Sequence, residues 1–326
     1  MENNNIDNSQ EQNTDVRKQL SEIRTQISKT VVGQDSALTG LVIGLLIDGH
    51  ILLEGVPGVG KTLLAKTLAQ TLNLSFKRIQ FTPDLMPSDI TGSLLYDDNE
   101  KDFVLKHGPI FTNIVLADEI NRTPAKTQSA LLEAMEERQV SVNGQSLPLP
   151  KPFMVIATQN PIEYEGTYAL PEAQLDRFAM KITMQLPNKK DELEILSKQD
   201  KSINGESFNA VLKLADADMI SEAKAQMSTV KISVDLLGYI VDIIQATRNN
   251  PNILLGASPR GSITLLKASK AWAWLNGRNY VTPDDIKIMA KPTLTHRIKL
   301  HSEAEIEGVL PSTVIQSIIQ NITVPR

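Results

Sequence analysis

Three glycines, a lysine and a threonine at fixed spacing, Gly55-Val56-Pro57-Gly58-Val59-Gly60-Lys61-Thr62, form the stretch of this 326-residue chain best suited to chemistry. Glycine has no Cβ, so the backbone here can take positive φ and turn its N–H groups toward an anion. Lys61 can then reach β- and γ-phosphate oxygens, and the Thr62 hydroxyl is placed to ligate Mg²⁺. The apolar run Ile51-Leu52-Leu53 precedes this turn and the helix-forming run Leu63 to Ala69 follows it. That order of strand, loop and helix brings the positive end of a helix to the phosphate. A chance glycine turn before a buried helix is the competing explanation. The flanking elements favour a nucleotide site made of Gly55, Val56, Pro57, Gly58, Val59, Gly60, Lys61, Thr62 and Leu63.

Asp118 and Glu119 end a second apolar run, Ile114-Val115-Leu116-Ala117. A carboxylate is a hard oxygen ligand, so Asp118 can join Thr62 around Mg²⁺, and Glu119 can polarise a water in line with a γ-phosphate. An acidic pair at a strand end is otherwise a solvated turn; the glycine loop upstream favours catalysis. Asn160, just past the run Phe153 to Ala157, carries an amide able to hydrogen-bond both that water and the phosphate, although on its own it reads as a turn residue before Pro161. Charge on the γ-oxygens calls for a guanidinium. Arg177 follows a helix and would point away from its own pocket, toward a neighbouring subunit. Arg260, in Ser258-Pro259-Arg260, opens a helix that could close over the nucleotide, and Arg122 ranks third. For any one of these, a surface salt bridge is the commoner fate. Val32 and Gly33 end an apolar connector that can lie flat on an adenine ring or be a plain turn between helices.

These residues need a scaffold. Apolar residues at helical spacing mark helices over 16–27 and 34–47. Alternation marks a strand at Phe76–Phe81, continuous apolar runs mark strands at 114–117 and 153–157, and a fifth strand is expected at Ile182–Leu186. Strands separated by helical patterns imply a parallel sheet with ligands beyond its carboxyl edge. Asn143-Gly144 signals a tight hairpin, and Ser93–Tyr96 with Phe103–Leu105 a looser one. Beyond Asn188 the pattern turns helical, with runs at 191–198, 221–227, 234–248, 259–275 and 283–290. Residues 1–14, rich in Asn, Gln, Asp and Ser, are expected to stay unfolded.

The formal net charge of −5 gives no broad basic footprint for nucleic acid. The absence of cysteine excludes disulfides and thiolate metal sites. No apolar stretch is long enough to span a bilayer, and the N-terminus lacks the charge and hydropathy pattern of a signal peptide. A cytoplasmic protein is the simplest expectation.

Taken together, the loop 55–62, Phe81-Thr-Pro-Asp-Leu-Met-Pro-Ser-Asp-Ile-Thr-Gly92, Leu116-Ala-Asp-Glu-Ile-Asn-Arg-Thr-Pro124, Ala157-Thr-Gln-Asn-Pro161 and Leu170-Pro-Glu-Ala-Gln-Leu-Asp-Arg-Phe178 resemble the MoxR family of AAA+ ATPases. The chain departs from the family at Tyr164, where glutamine is common, and at Ala169, where proline is common. The resemblance implies an α/β AAA+ P-loop NTPase core with a parallel five-stranded sheet, followed by an all-α lid. Residues 15–188 would form the core, with a helix-2 insert near 93–107 and a pre-sensor-1 hairpin near 138–152, and residues 189–326 the lid. It further implies that Asp118 and Glu119 are the Walker B pair, Asn160 sensor 1, Arg177 the arginine finger and Arg260 sensor 2. ATP and Mg²⁺ would be bound by a homo-oligomeric ring, a hexamer, acting as a chaperone-like remodelling factor with a von Willebrand factor A domain partner. The ATPase subunit of a magnesium chelatase is the nearest alternative. A nucleotide-gated switch with little turnover is the alternative from another class, and a DNA motor is disfavoured by the uncharged or acidic hairpin tips.

Overall fold

In the computed structural model, which describes residues 3–97, 101–161, 168–203 and 213–325, two helices open the chain: α1 (Asn3–Thr30) and α2 (Asp35–Leu46). They lead into β1 (His50–Glu54), the glycine turn and α3 (Lys61–Thr71). Next come β2 (Phe76–Gln80), the short α4 (Pro87–Thr91) and a hairpin of β3 (Gly92–Asp97) and β4 (Asp102–His107). β5 (Ile114–Asp118) and α5 (Ala125–Glu137) precede a second hairpin, β6 (Gln139–Val142) and β7 (Gln145–Pro148), then β8 (Met154–Gln159), one-turn α6 (Glu172–Leu175) and β9 (Phe178–Thr183). The rest is mainly helical: α7 (Lys189–Ile203), α8 (Ala217–Ser228), α9 (Val234–Arg248), β10 (Ile253–Leu255), α10 (Pro259–Leu275), α11 (Pro283–Leu294), β11 (Lys299–Leu300), α12 (Ser302–Ile306) and α13 (Pro311–Asn321). Among the described residues no helix is long and apolar enough to cross a membrane.

The main sheet has the order β2-β5-β8-β1-β9, and every pairing in it is parallel. Successive residues of a strand face opposite sides, and both sides are covered. Ile51, Leu53, Ile114, Leu116, Met154 and Ile156 join a core with α1, α2, α3 and the C-terminal helices. Leu52, Val115, Ala117, Val155 and Ala157 face the other way, onto Leu131, Leu132 and Met135 of α5. This two-sided burial is why the strands read as unbroken apolar runs. Each fully buried Leu or Ile contributes roughly 1.5–3 kcal/mol.

Three local expectations change. α1 begins at Asn3, so the segment 3–14 expected to be unfolded is helical; the packed turns around Leu20, Ile23 and Ile27 nucleate the helix, and propagation upstream costs little. The fifth strand is Phe178–Thr183 rather than Ile182–Leu186, because its register follows β1, with Glu54 opposite Thr183 and Lys181 paired to Glu54 at 2.6 Å. Leu186, expected in that strand, is 68 % exposed. α12 and α13 had no counterpart in the sequence reading. The Asn143-Gly144 turn has φ of 49° and 80°, as a two-residue hairpin loop requires. Tyr164 lies outside the described residues.

Near the amino ends of β1 and β8 the fold buries His50. Its Nδ1 accepts from the Val155 N–H at 2.9 Å and its Nε2 lies 3.1 Å from the Met135 carbonyl, so the neutral Nε2–H tautomer satisfies both. Burial, with the nearby Arg138 charge adding to it, pushes the imidazole from 6.5 down to about 3. The unfolded chain therefore binds this proton between about pH 6.5 and 3 while the folded chain does not. Stability is complete above that window and falls as pH drops through it, by up to about 1.4 kcal/mol per pH unit for one group. His50→Asn can still accept from Val155, so urea titrations should show a less stable protein whose stability varies less between pH 7 and 4 than that of the parent. An unchanged slope would remove His50 from the acid response.

Candidate active site

Gly58 and Gly60 have φ of +85° and +89°, and Gly60 caps α3 in the left-handed region. A Cβ on Gly55 would come within 2.8 Å of the Met184 carbonyl, so the start of the turn also excludes a side chain. Lys61 donates from Nζ to the Gly55 carbonyl at 2.6 Å, which folds its ammonium back over the loop. The Gly55 N–H in turn donates to the Gln159 carbonyl at 3.3 Å, joining the loop to the end of β8 beside Asn160. Asn160 is 6 % exposed. Val31 approaches Gly60, and Gly33 (φ +75°) lies against Asp191 of α7. The Val32-Gly33 connector thus sits between the loop and α7, along a cavity of about 860 Å³ that Arg24, Lys29 and Asn188 also line.

Asp118 emerges at the same carboxyl edge. Thr158 Oγ1 donates to its Oδ1 at 2.6 Å, and Arg78 donates to its Oδ2 from Nε at 2.9 Å and from Nη2 at 2.6 Å. Glu119 takes φ of +58°, a left-handed conformation that costs free energy for a residue with a side chain and persists only where its surroundings hold it. They do: its N–H donates to Thr158 Oγ1 at 2.8 Å, and its carbonyl accepts from the Arg122 N–H at 2.9 Å. Glu119 Oε2 accepts from Gln80 Nε2 at 2.8 Å and from Arg122 Nη1 at 3.0 Å. Arg122, ranked third among the arginines, is therefore engaged with the acid of its own chain.

The remaining arginines lie elsewhere. Arg177 immediately precedes β9, whose first residue Phe178 pairs with His50, so it sits at the amino edge of the sheet. Arg260 is there too, paired with Glu136 at the end of α5. Both line one cavity of about 370 Å³ together with Asp48, Arg138, Lys267 and Arg297. Arg260 opens a helix, as expected, and in the folded chain it lies away from the glycine loop of its own subunit. α10 buries Leu265, Ala268, Ala271 and Trp274 in the core and packs on α2, α8, α9 and α11, which aims its N-terminus at the opposite end of the strands from the glycine loop. A five-residue strand separates the two edges by about 16 Å.

The Thr62 hydroxyl in the first turn of α3 and the Asp118 carboxylate at the end of β5 both supply oxygen donors at the carboxyl edge, the chemistry that suits Mg²⁺. The glycine turn at a helix N-terminus with Lys61 beside it suits a triphosphate. The residues present thus fit both groups.

Comparison with known proteins places the chain in a family. The pattern of the ATPase family associated with various cellular activities (AAA) matches residues 50–180, and that of the AAA lid domain matches 245–318. The chain is 48 % identical over 312 residues to the uncharacterized protein YeaC of Bacillus subtilis, spanning 95 % of this chain and 96 % of that protein. It is 41 % identical over 310 residues to Chaperone MoxR1 of Mycobacterium tuberculosis, spanning 92 % and 81 %. The chain belongs to the MoxR family of AAA+ ATPases. The crystal structure of a protein described as an ATPase from Cytophaga hutchinsonii superposes on this MoxR-family fold with a TM-score of 0.91 at 43 % identity, covering 99 % of each chain.

Four polar residues that hold these candidate groups in place, three beside the acid pair and Arg297 at the opposite edge, carry weak sequence signals or none. Arg78 and Gln80 share one face of β2, and their i, i+2 spacing inside a strand was the available signal. Thr158 and Arg297 carry no local signal, since their partners lie about 40 and 120 positions away. Thr158 is fully buried and its single hydroxyl serves both acids. Thr158→Val keeps the shape but orphans the Glu119 N–H and Asp118 Oδ1, so denaturant unfolding should show a loss on the order of 1–3 kcal/mol, and Thr158→Ser a smaller one. Equal stability of Thr158→Val and the parent would contradict this hydrogen-bond assignment.

Proposed function

We propose that this chain hydrolyses ATP, with Mg²⁺, at the contacts between identical subunits of a ring, and that nucleotide state moves the two hairpins against a partner protein. One observation carries the reading: the phosphate-binding groups sit at the carboxyl edge of a parallel sheet while Arg177 and Arg260 sit together at its amino edge. Subunits stacked edge to edge would bring one subunit's arginines to the next subunit's glycine loop. A single subunit would have to dismantle its sheet to do the same.

In this reading Lys61 exchanges the Gly55 carbonyl for phosphate oxygens, and Thr62 and Asp118 hold the metal. Mg²⁺ supplies neutralisation of charge on the β- and γ-oxygens when bound. Glu119 orients the attacking water and accepts its proton, Asn160 fixes the water and the γ-phosphate, and Val32 and Gly33 border the base. Arg177 and Arg260 arrive from the neighbour, where a guanidinium contributes on the order of 10³-fold in rate. We take residues 15–188 as the nucleotide-binding unit and 189–326 as the lid. Family resemblance supports six subunits, chaperone-like work with a von Willebrand factor A domain partner, and a cytoplasmic setting. The similarity to Chaperone MoxR1 favours this over a magnesium-chelatase subunit.

Lys61→Ala should lose nucleotide binding by calorimetry. Glu119→Gln should still bind ATP yet release phosphate at least 100-fold more slowly, by analogy with removing a general base. Near-normal release would take Glu119 out of the reaction. Arg177→Ala should be inactive alone and regain partial turnover when mixed with Lys61→Ala, since some contacts then join an intact pocket to an intact arginine.

A further inference from the structure

The loop that carries Arg177 and the helix that carries Arg260 are tied to each other by one buried guanidinium. Arg297, just after α11, has a side chain only 1 % exposed and directs its donors around Arg177. Nε donates to Asp176 Oδ1 at 2.7 Å, and Nη2 donates to the carbonyls of Phe178 at 2.7 Å and Asp176 at 3.2 Å. Nη1 donates to the carbonyls of Ala179 at 3.0 Å and Thr293. The residues on both sides of Arg177 are therefore fixed while its own side chain is left to the cavity. Only a planar fork of five donors can hold this many acceptors at once.

The same group reaches Arg260 by two routes. The second oxygen of Asp176 accepts from Ser258 Oγ at 2.9 Å, and Ser258 is the N-cap residue of α10, two positions before Arg260. A serine at this position normally satisfies an N–H of the first helical turn. Here its hydroxyl makes no capping bond and goes to Asp176 instead. In the second route, Arg297 Nη2 contacts Thr264 Oγ1 at 3.5 Å, and that hydroxyl donates to the Arg260 carbonyl at 2.8 Å. Gly261 completes the seat, because a Cβ there would press on Arg297 Cδ at 3.3 Å.

We infer that Asp176, Ser258 and Arg297 are positioning residues that lock Arg177 and Arg260 into one unit, so that the two guanidiniums are delivered to a neighbouring subunit's phosphate together. This deepens the proposed across-subunit reading and rests on it. Two long side chains presented independently would each have to be ordered at every encounter. Held at a common base, they arrive with their spacing already set, and small displacements of such groups weaken transition-state stabilisation steeply.

Ser258→Ala is the decisive variant, because it cuts the shorter of the two routes, leaving only the 3.5 Å contact of Arg297 with Thr264, and does so without removing a capping hydrogen bond or a charge. With the full-length protein, kcat for ATP should fall about tenfold while KM stays within about twofold and the variant remains fully folded at the assay temperature, with only a modest drop in its unfolding midpoint. Ser258→Thr, which keeps the hydroxyl, should retain kcat. Arg297→Lys, which keeps the charge and loses the fork, should fall further than Ser258→Ala. Mixing Ser258→Ala with Lys61→Ala should restore turnover, because the intact pocket of the first then meets the undisturbed arginines of the second. Parent-like kcat in Ser258→Ala overturns the inference, as does a lost kcat that mixing fails to restore where Arg177→Ala is restored. If Arg177→Ala itself is not restored, with co-assembly verified, the across-subunit reading fails and takes this inference with it.

Discussion

All five strands of the main sheet run in one direction, and the placement of the glycine turn, the acid pair, Asn160 and Arg177 follows from that constraint. Parallel strands need crossover connections, so each strand's carboxyl end opens into a loop on one edge and each amino end is entered from the other. The glycine turn after β1, the acid pair at the end of β5 and Asn160 after β8 share an edge because each lies at the carboxyl end of a strand. Arg177 precedes a strand and so belongs to the opposite edge. No side-chain rotation can undo this, since the ladder of hydrogen bonds across β1, β8 and β9 would have to break first.

The amino edge also buries three basic side chains. His50, His296 and Arg297 are all buried there, and burial lowers the pKa of each, that of Arg297 to about 10. Asp176 opposes the effect on Arg297 by charge and hydrogen bonding. Such a buried pair adds little net stability over an apolar substitute of the same volume, while removing one partner leaves an uncompensated charge. Its physical return here is geometric. A packed apolar cluster tolerates small shifts, whereas acceptors held by one rigid planar group have a single arrangement that satisfies all of them.

How much of this was legible in the sequence depended on how local the signal was. The glycine loop, the acid pair and the buried strands announce themselves within a few residues, because turn chemistry and apolar runs are short-range patterns. Arg177 was legible as pointing away from its own pocket. Arg260 was not placed, because the direction of α10 is set by packing on α2, α8, α9 and α11, none of which its own sequence encodes. The strand after Asp176 was misjudged by four residues at its start, since β1 chose its register and the apolar count around Ile182 did not. Arg78, Gln80 and Thr158 looked like ordinary strand polar residues until the pairing of β2, β5 and β8 put them against the acids. α12 and α13 are short amphipathic segments whose apolar faces acquire meaning only against the core they close.

The carboxyl edge combines a fixed backbone with an adjustable side chain. Glu119 has its N–H bound by Thr158 and its carbonyl by the Arg122 N–H, so its left-handed turn is held from both sides. Its carboxylate, by contrast, is held through Oε2 by two side chains, Gln80 and Arg122, the latter 43 % exposed. Side-chain hydrogen bonds of this kind contribute on the order of 1–3 kcal/mol each, the charged ones toward the upper end. That is within the range that binding a triphosphate can offset, whereas rebuilding the buried Thr158 node would cost more. Reorienting Glu119 toward a water therefore needs rotations about χ angles at a stationary Cα, and the strained turn keeps that Cα at the sheet edge throughout. The same division holds across the molecule: at the other edge Arg297 fixes the backbone around Arg177 and leaves the guanidinium to the cavity. In the proposed reading, each half of the site is thus held by hydrogen bonds where it joins the sheet and leaves side-chain rotation to the groups that would meet phosphate.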